Sequence, residues 1–315
     1  MKPELVCLGE LLIDFTPAGL SPAGMALYER NPGGAPANAA VAAARLGLSS
    51  AFIGKVGADL HGRILKSVLE KEGVDCRGLI LDPESPTTLA FVELLPGGER
   101  DFAFHRKGCG DTRLRPEELP EDLIRGARVL HLGTLSLTDE PACSAAFRAV
   151  DVARGAGVTV SCDVNYRAPL WEAAGEFKAA CAELLPRVDW LKVSEEEAAL
   201  LTGEPDPEKA GEALRRKYPL AHLAVTLGEK GAILDGKPIP PFPARALDAT
   251  GAGDSFWGAY LYALLRARPD PGRFAAAAAS LCVEKRGAIP ALPDLAAVEA
   301  RLRRGELGVR SYNNS

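Results

Sequence analysis

The sequence lacks the features that would place it in a membrane or on nucleic acid. No apolar run approaches the roughly 20 residues that a membrane-spanning helix needs. The 37 basic and 42 acidic side chains leave a net charge of −5, so electrostatics gives no reason to expect a nucleic-acid partner. The first ten residues lead directly into a strand-like run, with no signal-peptide pattern. We therefore expect a cytoplasmic protein that binds neither membrane nor nucleic acid.

Signatures of metal centres and disulfide frameworks are also missing. The seven cysteines are scattered and form no Cys-x-x-Cys pair, which favours reduced, buried thiols. The four histidines show no ligand spacing, so a zinc site is not expected. No Gly-Lys-Ser/Thr motif of a Walker A loop is present. Any phosphate site of this chain must use another kind of loop.

The chain does contain a regular alternation of two kinds of segment. Short apolar runs, often β-branched, predict strands at 4–10, 51–56, 127–132, 158–163, 188–193, 221–227 and 231–235. Ala/Leu-rich stretches predict helices near 38–46, 60–72, 140–155, 175–185, 195–202, 207–217, 252–266, 271–285 and 294–303. This alternation is typical of a parallel sheet covered by helices, whose ligand lies at the carboxyl ends of the strands.

One region departs from the alternation. Residues 87–95 and 101–106 are strand-like and flank the Gly-containing segment Pro96–Glu99, which predicts a β-hairpin. Residues 11–32 supply further extended segments. We expect these pieces to form a second, smaller sheet.

The most informative motif is Asp248-Ala249-Thr250-Gly251-Ala252-Gly253-Asp254, which runs into an apolar helix. Glycines before a helix let backbone N–H groups converge on an anion, and the helix dipole favours negative charge there. Phosphoryl transfer needs such a cradle together with a base for the attacking hydroxyl, which Asp254 would supply. The plainer interpretation is a Gly-rich helix start capped by Asp, because short glycine motifs are weak indicators.

A second glycine segment favours the phosphate interpretation. Asn31-Pro32-Gly33-Gly34-Ala35-Pro36-Ala37-Asn38 enters an Ala-rich helix that stops at Gly47. The two segments, about two hundred residues apart, resemble the two signatures of the ribokinase-like carbohydrate kinases, the phosphofructokinase B family. The resemblance extends over nearly the whole chain. The departure is Ala249, where the family more often has Thr, Pro, Ser or Val.

This resemblance implies an architecture and a set of ligands. It implies one ribokinase-like α/β domain over residues 1–315, with a mostly parallel central sheet flanked by helices. A discontinuous β lid, at about 11–32 and 86–111, would cover the sugar. Such lids often pack against one another, so a homodimer or higher homo-oligomer is expected. The implied ligands are a small sugar, ATP and Mg²⁺, with K⁺ a further candidate.

The resemblance also assigns catalytic and sugar-binding roles. Asp254 would be the general base, and Gly251, Ala252 and Gly253 would donate backbone N–H groups to the γ-phosphate. Residues that would contact the sugar are Asp14, Gly33, Gly34, Asn38, Arg106 and Asp254. For Asp14, capping of its own loop is the plainer alternative. Arg106 is expected on the lid arm, over an anionic or polyhydroxyl substrate.

Two further segments are expected at the nucleotide. Asn165 and Arg167 follow a predicted strand and belong to an Asp-x-Asn-x-Arg stretch, in which the family's arginine reaches the nucleotide phosphates. Arginine is suited to a bidentate grip on phosphate, although a surface salt bridge is the alternative. Thr226 and Gly228 lie at a turn that the family places against the nucleotide.

Metal ligands follow from the resemblance as well. Ser194-Glu195-Glu196-Glu197 has the pattern of a capping box. The family has Asn-x-x-Glu here, with the glutamate on Mg²⁺ through water, so Glu197 is a candidate Mg²⁺ residue although Ser194 replaces the Asn. Asp248 and Thr250 align with a K⁺ site of several relatives, together with carbonyls near Cys282, Lys285, Gly287 and Ala291.

The substrate interpretation favours fructose. Segments such as Thr88–Val92 and Gly287–Pro293 look like the fructokinase branch, and 2-keto-3-deoxygluconate kinase is the close alternative. That branch often has a carboxylate-binding tyrosine where this chain has Phe104, which favours a neutral hexose. A different class of function, a non-catalytic sugar-responsive regulator, is disfavoured by Asp254 and the intact glycine cradle.

Overall fold

The structure, a computed structural model, describes residues 2–94 and 100–312. Its strands form two separate sheets, one of nine strands and one of four. The hairpin turn expected at Pro96–Glu99 lies outside the described residues.

The described residues form thirteen strands and ten α-helices. The strands are β1 (Leu5–Leu8), β2 (Leu12–Leu20), β3 (Ala26–Gly33), β4 (Ser50–Gly57), β5 (Asp75–Asp82), β6 (Leu89–Leu94), β7 (Arg100–His105), β8 (Val129–Gly133), β9 (Thr159–Asp163), β10 (Trp190–Ser194), β11 (His222–Thr226), β12 (Ala232–Leu234) and β13 (Lys237–Ile239). The helices are α1 (Ala35–Arg45), α2 (Leu60–Lys71), α3 (Glu121–Arg125), α4 (Ala142–Gly155), α5 (Ala174–Leu184), α6 (Glu195–Thr202), α7 (Pro207–Lys217), α8 (Ala252–Leu265), α9 (Pro271–Cys282) and α10 (Leu295–Tyr312).

The large sheet has the order β13-β12-β11-β10-β9-β8-β1-β4-β5. Neighbouring strands from β11 to β5 pair in parallel, whereas β12 and β13 are added antiparallel at one edge. The predicted mostly parallel sheet is therefore confirmed. Two of its strands were not predicted, β5 because Asp, Arg and Gly dilute its apolar run, and β13 because it is a three-residue edge strand containing Pro238.

Helices cover both faces of this sheet. Along β1, Leu5 and Cys7 belong to one buried cluster, and Val6 and Leu8 belong to another. Since successive strand residues point to opposite faces, the two clusters lie on opposite sides of the sheet. The first cluster includes residues of α1, α2, α8, α9 and α10, and the second those of α3 to α7.

Helices α1 and α8 pack closely because their contact surface contains small residues. A Cβ added to Gly258 would lie 2.7 Å from the Ala42 Cβ and 3.0 Å from the Ala39 carbonyl oxygen. Both helices are buried along most of their length. This packing sets the N-terminal ends of α1 and α8, which carry the two glycine segments, close to each other.

The small sheet has the order β3-β2-β6-β7 and contributes one wall of the site. Phe15 and Phe91 stack on one face with ring centroids 4.9 Å apart. Asp14, the neighbour of Phe15, points to the opposite face, and there it lines a cavity with Phe104. Whether this sheet moves as a lid stays a prediction.

Candidate active site

A cavity of about 700 Å³ lies between the small sheet and the carboxyl ends of the strands of the large sheet. Eleven of the residues singled out in the sequence line it: Asp14, Gly34, Asn38, Asn165, Arg167, Glu197, Thr226, Thr250, Gly251, Gly253 and Asp254. Five others do not line it: Gly33, Ala252, Arg106, Gly228 and Asp248. The two glycine segments, the loop after β9 and the start of α6 thus meet around one space.

The start of α8 is built for close approach of the backbone. Gly251 has φ 76°, in the left-handed region, and a Cβ there would lie 2.9 Å from both Cα and Cβ of Ala288. Glycine is therefore required on both conformational and steric grounds. No side chain caps the first turn of α8. A helix N-terminus of this kind favours an anion.

Asp254, the third residue of α8, faces this cavity from the helix start. Its Oδ2 accepts a 2.7 Å hydrogen bond from Nδ2 of Asn38 in α1. Burial, together with the negative charge of Asp163, raises the pKa of Asp254 to about 6, although the Asn38 bond opposes the rise. A carboxylate with this pKa is ionised at neutral pH and remains a competent proton acceptor.

The carboxyl group of Glu10, whose role the sequence did not indicate, lies against the start of α1. Glu10 Oε1 accepts a 2.9 Å hydrogen bond from the Ala35 N–H, whereas Glu10 Oε2 is buried without a hydrogen-bond partner in the described part of the chain. Burial raises the pKa of Glu10 to about 7. A side chain on Gly34 would collide with the Glu10 backbone. The signal for Glu10 in the sequence was its place in the pattern Gly9-Glu10-x-x-x-Asp14, of which only Asp14 was predicted to belong to the site.

Asp14 occupies the wall formed by the small sheet. Its carboxylate sits where a Gly33 side chain would be, so Gly33 supports the site by leaving room for Asp14. Burial raises the pKa of Asp14 to about 7, with Arg167 opposing and Asp254 adding to the rise. Asp14 and Asp254 thus influence each other electrostatically across the cavity.

A buried ion pair at the floor of the site was also missed. Lys192 Nζ lies 2.8 and 2.7 Å from the two carboxylate oxygens of Asp163, and Lys192 lines the cavity. Burial disfavours the charged form of Lys192. The negative charge of Asp163, and to a smaller extent that of Glu197, nevertheless raises the pKa of Lys192 above its usual value. The only signal in the sequence was a lysine inside an apolar strand.

Glu197 connects helix α6 to the loop after β9. Ser194 Oγ accepts the Glu197 N–H at 3.1 Å, and Glu197 Oε2 accepts the Ser194 N–H at 2.8 Å, so the predicted capping box is confirmed. Glu197 Oε1 accepts the Tyr166 N–H at 2.7 Å. Burial and the charge of Asp163 raise the pKa of Glu197. Neighbouring Asn165 adopts φ 46°, a left-handed conformation that Asn tolerates.

Arg167 and Arg106 differ sharply in their placement. Arg167 lines the cavity and donates a 3.0 Å hydrogen bond to the Tyr166 carbonyl. Arg106 was expected on the lid arm over the substrate, but in the structure it does not line the cavity and is held in ion pairs directly after β7. Its side chain is 5% exposed, and its guanidinium contacts Asp111 at 2.6 Å, Asp139 at 3.2 Å and the Leu135 carbonyl at 2.8 Å. Desolvation made this pairing necessary, since a buried arginine needs a carboxylate.

The remaining candidates organise turns beside the cavity. Asp248 Oδ1 accepts the Thr250 N–H at 2.9 Å and the Thr250 hydroxyl at 2.6 Å, and Oδ2 accepts the Gly287 N–H at 2.9 Å. Thr226 donates its hydroxyl to the Val193 carbonyl at 3.3 Å. Gly228 has φ 58° in the adjoining turn. No group of three or more His, Cys, Asp or Glu side chains is arranged as a metal site within residues 2–94 and 100–312.

Comparisons with known proteins show which family of proteins the chain resembles. The sequence model of the "pfkB family carbohydrate kinase" matches residues 2–295. A probable fructokinase-4 of Arabidopsis thaliana is 41% identical over 96% of this chain and 97% of its own length. A crystal structure of fructokinase from Vibrio cholerae O395, in fructose-, ADP- and calcium-bound form, superposes with TM-score 0.87 at 34% identity, covering 96% and 99% of the two chains.

A second solved structure is similar in the same way. Fructokinase from Xylella fastidiosa with bound ATP superposes with TM-score 0.86 at 29% identity, covering 97% of this chain and all of that one. In the described part of this chain, no helix is both long and apolar enough to cross a bilayer.

The Glu10→Gln variant should be more stable than the wild type at pH 8. At pH 5 the difference in the free energy of unfolding between the two proteins should be smaller. The folded protein holds a proton on Glu10 up to about pH 7, whereas the unfolded chain loses it near pH 4.3. The free energy of unfolding therefore falls as pH rises between these values, by at most about 1.4 kcal/mol per pH unit. Gln keeps an oxygen for the Ala35 N–H. Urea unfolding at the two pH values measures the difference.

Glu4→Gln is the control, and its expected effect on stability has the opposite sign. The hydrogen bond from Arg266 lowers the pKa of Glu4 to about 2, so its ionised form stabilises the folded state at both pH values. This variant should therefore lose stability by a similar amount at pH 5 and pH 8. A Glu10→Gln effect that is also equal at the two pH values would contradict a buried, proton-binding carboxyl.

Proposed function

The chain belongs to the pfkB family of carbohydrate kinases, and we propose that it transfers the γ-phosphate of ATP to a hydroxyl of fructose. Asp254 acts as the general base, and the backbone of Gly251, Ala252 and Gly253 forms the anion hole. The observation that carries the proposal is the position of Asp254, a partly buried carboxylate held by Asn38 at the uncapped start of α8. An anion cradle and a proton acceptor lie within one helical turn.

The reaction follows from these two groups. The sugar hydroxyl gives its proton to Asp254, and its oxygen forms a bond to the γ-phosphorus while the bond from that phosphorus to the β,γ-bridging oxygen breaks. Asn38 occupies Asp254 Oδ2, so Oδ1 is the atom that we assign to the hydroxyl proton. The backbone N–H groups at Gly251 to Gly253 stabilise the negative charge of the moving phosphoryl group.

A neutral sugar fits the sugar end of the cavity better than a sugar acid does. Asp14, Gly34 and Asn38 form this end in our proposal, and Gly33 leaves room for Asp14. Phe104 also lines the cavity and offers no hydrogen-bonding group. Arg106, which was expected over an anionic or polyhydroxyl substrate, is paired with Asp111. These observations favour fructose over the alternative, 2-keto-3-deoxygluconate. The fructokinase names of the relatives favour it as well.

The nucleotide and metal assignments rest on position and donor chemistry. We assign Asn165, Arg167, Thr226 and Gly228 to ATP, because the first three line the cavity and the fourth lies in the adjoining turn. Mg²⁺ suits a site with one carboxylate and substrate phosphates, and Glu197 is that carboxylate in our proposal. When bound, Mg²⁺ neutralises phosphate charge.

Two further assignments are kept as proposals. Asp248 and Thr250 are the K⁺ candidates, beside the Gly251 turn. A homodimer through the small sheet is supported by exposed apolar side chains on β2, β3 and their connection, namely Leu20, Met25, Leu27 and Tyr28. If light scattering gave the molar mass of a single chain, it would contradict the proposed homodimer.

The substrate is tested by coupled detection of ADP with purified protein. Fructose should give the highest kcat/KM in a panel that contains 2-keto-3-deoxygluconate and other hexoses. A preference for 2-keto-3-deoxygluconate would establish the alternative kinase. Sugar binding without ADP formation from any sugar would instead indicate the non-catalytic regulator.

Asp254→Asn should lower kcat by about 10²–10⁴-fold and leave fructose and ATP binding largely intact, because a base contributes to the transition state rather than to binding. In the wild type, kcat/KM should fall about tenfold per pH unit below about pH 6, where Asp254 is protonated. Steady-state kinetics and calorimetry measure the two effects. If the variant retained more than about a tenth of the wild-type kcat, Asp254 would not be the general base.

Glu197→Gln should raise the Mg²⁺ concentration that is needed for half-maximal activity. Gln removes the charge and leaves one oxygen where Glu197 now accepts two backbone N–H groups, so a modest loss of stability is expected too. Glu196→Gln is the matched control, since Glu196 also lines the cavity but is exposed. Identical Mg²⁺ titrations for the two variants would leave Glu197 as a helix cap and loop anchor only.

A further inference from the structure

We propose that Lys192 is a further catalytic residue of this site, whose ammonium contacts the transferring phosphoryl group, and that Asp163 is the positioning residue that holds this ammonium. The inference rests on the proposed kinase reaction at Asp254. It adds a side-chain cation to an anion hole that was otherwise assigned to backbone N–H groups alone.

The first observation is distance. Lys192 lies in the middle of β10, with 7% of its surface exposed, and its side chain reaches the start of α8. A Cβ added to Gly253 would lie 3.1 Å from Lys192 Nζ and 3.4 Å from Lys192 Cε. The ammonium therefore adjoins the glycine cradle itself. Glycine at position 253 leaves that approach open, which gives this glycine a role besides backbone flexibility.

The second observation is the charge balance around the cavity. Among the described residues that line it, the cationic side chains are those of Arg167 and Lys192, and the carboxyl side chains are those of Glu10, Asp14, Glu196, Glu197 and Asp254. A triphosphate that enters such a surface meets repulsion from the carboxylates. Lys192 supplies positive charge next to Asp254, where the proposed transfer takes place.

The third observation explains how the lysine keeps its charge in a buried position. Both oxygens of Asp163 contact Nζ, at 2.8 and 2.7 Å, and Asp163 stands directly opposite Lys192 in the pairing of β9 with β10. An ammonium has three donors. Asp163 can therefore fix the side chain while a further N–H remains for a phosphate oxygen.

A purely structural ion pair is the competing interpretation, and the chain contains an example of one. Lys55 on β4 is 5% exposed, contacts Glu118 at 2.6 Å and the Arg113 carbonyl at 3.0 Å, and does not line the cavity. Lys192 shares the burial and the carboxylate partner but differs in its contact with the cavity. Lys55 is therefore the matched control.

The test compares Lys192→Met, the double variant Lys192→Met/Asp163→Asn, and Lys55→Met. Lys192→Met should lower kcat by about 10²-fold or more, since it removes charge stabilisation of the transition state. It should also destabilise the fold, because Asp163 becomes a buried, unpaired charge. The double variant removes that charge, so stability should return while kcat stays low. Lys55→Met should lose stability and keep its kcat per folded molecule.

Recovery of kcat together with stability in the double variant would overturn the proposal and leave Lys192 as structural. Binding gives a readout that does not depend on turnover: Lys192→Met should weaken ATP relative to ADP by about tenfold or more, the size of a lost charge-assisted hydrogen bond. An unchanged ATP-to-ADP affinity ratio would also overturn it. Failure of the kinase proposal itself would appear separately, as a wild type that forms no ADP with any sugar.

Discussion

The hydrogen bond from Asn38 to Asp254 is the contact on which the geometry of the site depends. It joins residues 216 positions apart in the chain and brings the starts of α1 and α8 to one point. The bond requires that the two helices approach closely, and the small residues Ala39, Ala42 and Gly258 allow that approach. The Ala-rich composition of α1 is thus explained by the site as much as by helix propensity.

This arrangement concentrates carboxyl groups where water is scarce. Burial raises the pKa of Glu10 and Asp14 to about 7 and that of Asp254 to about 6, so each ionised group weakens the folded state at neutral pH. The two hydrophobic clusters on either side of the sheet must offset that cost. The carboxyl groups of the site therefore lower the stability of the folded protein, and the proposed chemistry requires them there.

Local patterns predicted most of the fold and the site, and tertiary pairing accounts for what they missed. Helix α6 and its cap were predicted because Ser194 and Glu197 are three residues apart. The contact between Glu197 and the Tyr166 N–H depends instead on the meeting of two loops, which no local pattern encodes. Lys192 was missed for the same reason, since Asp163 lies on a neighbouring strand. The burial of Arg106 likewise depends on Asp111 and Asp139, whose pairing with it no local pattern encodes.

The burial of Arg106 bears directly on which sugar the site can select. To reach a substrate, its guanidinium would have to leave Asp111, whose side chain is 1% exposed. Breaking a buried pair by removing one partner costs about 3–5 kcal/mol, because the other charge stays desolvated. A substrate carboxylate would have to compensate for that loss while facing Glu10, Asp14 and Asp254. Hydroxyl groups carry no such charge and can donate to these carboxylates. The buried pairing of Arg106 with Asp111 therefore supports the proposal of a neutral sugar.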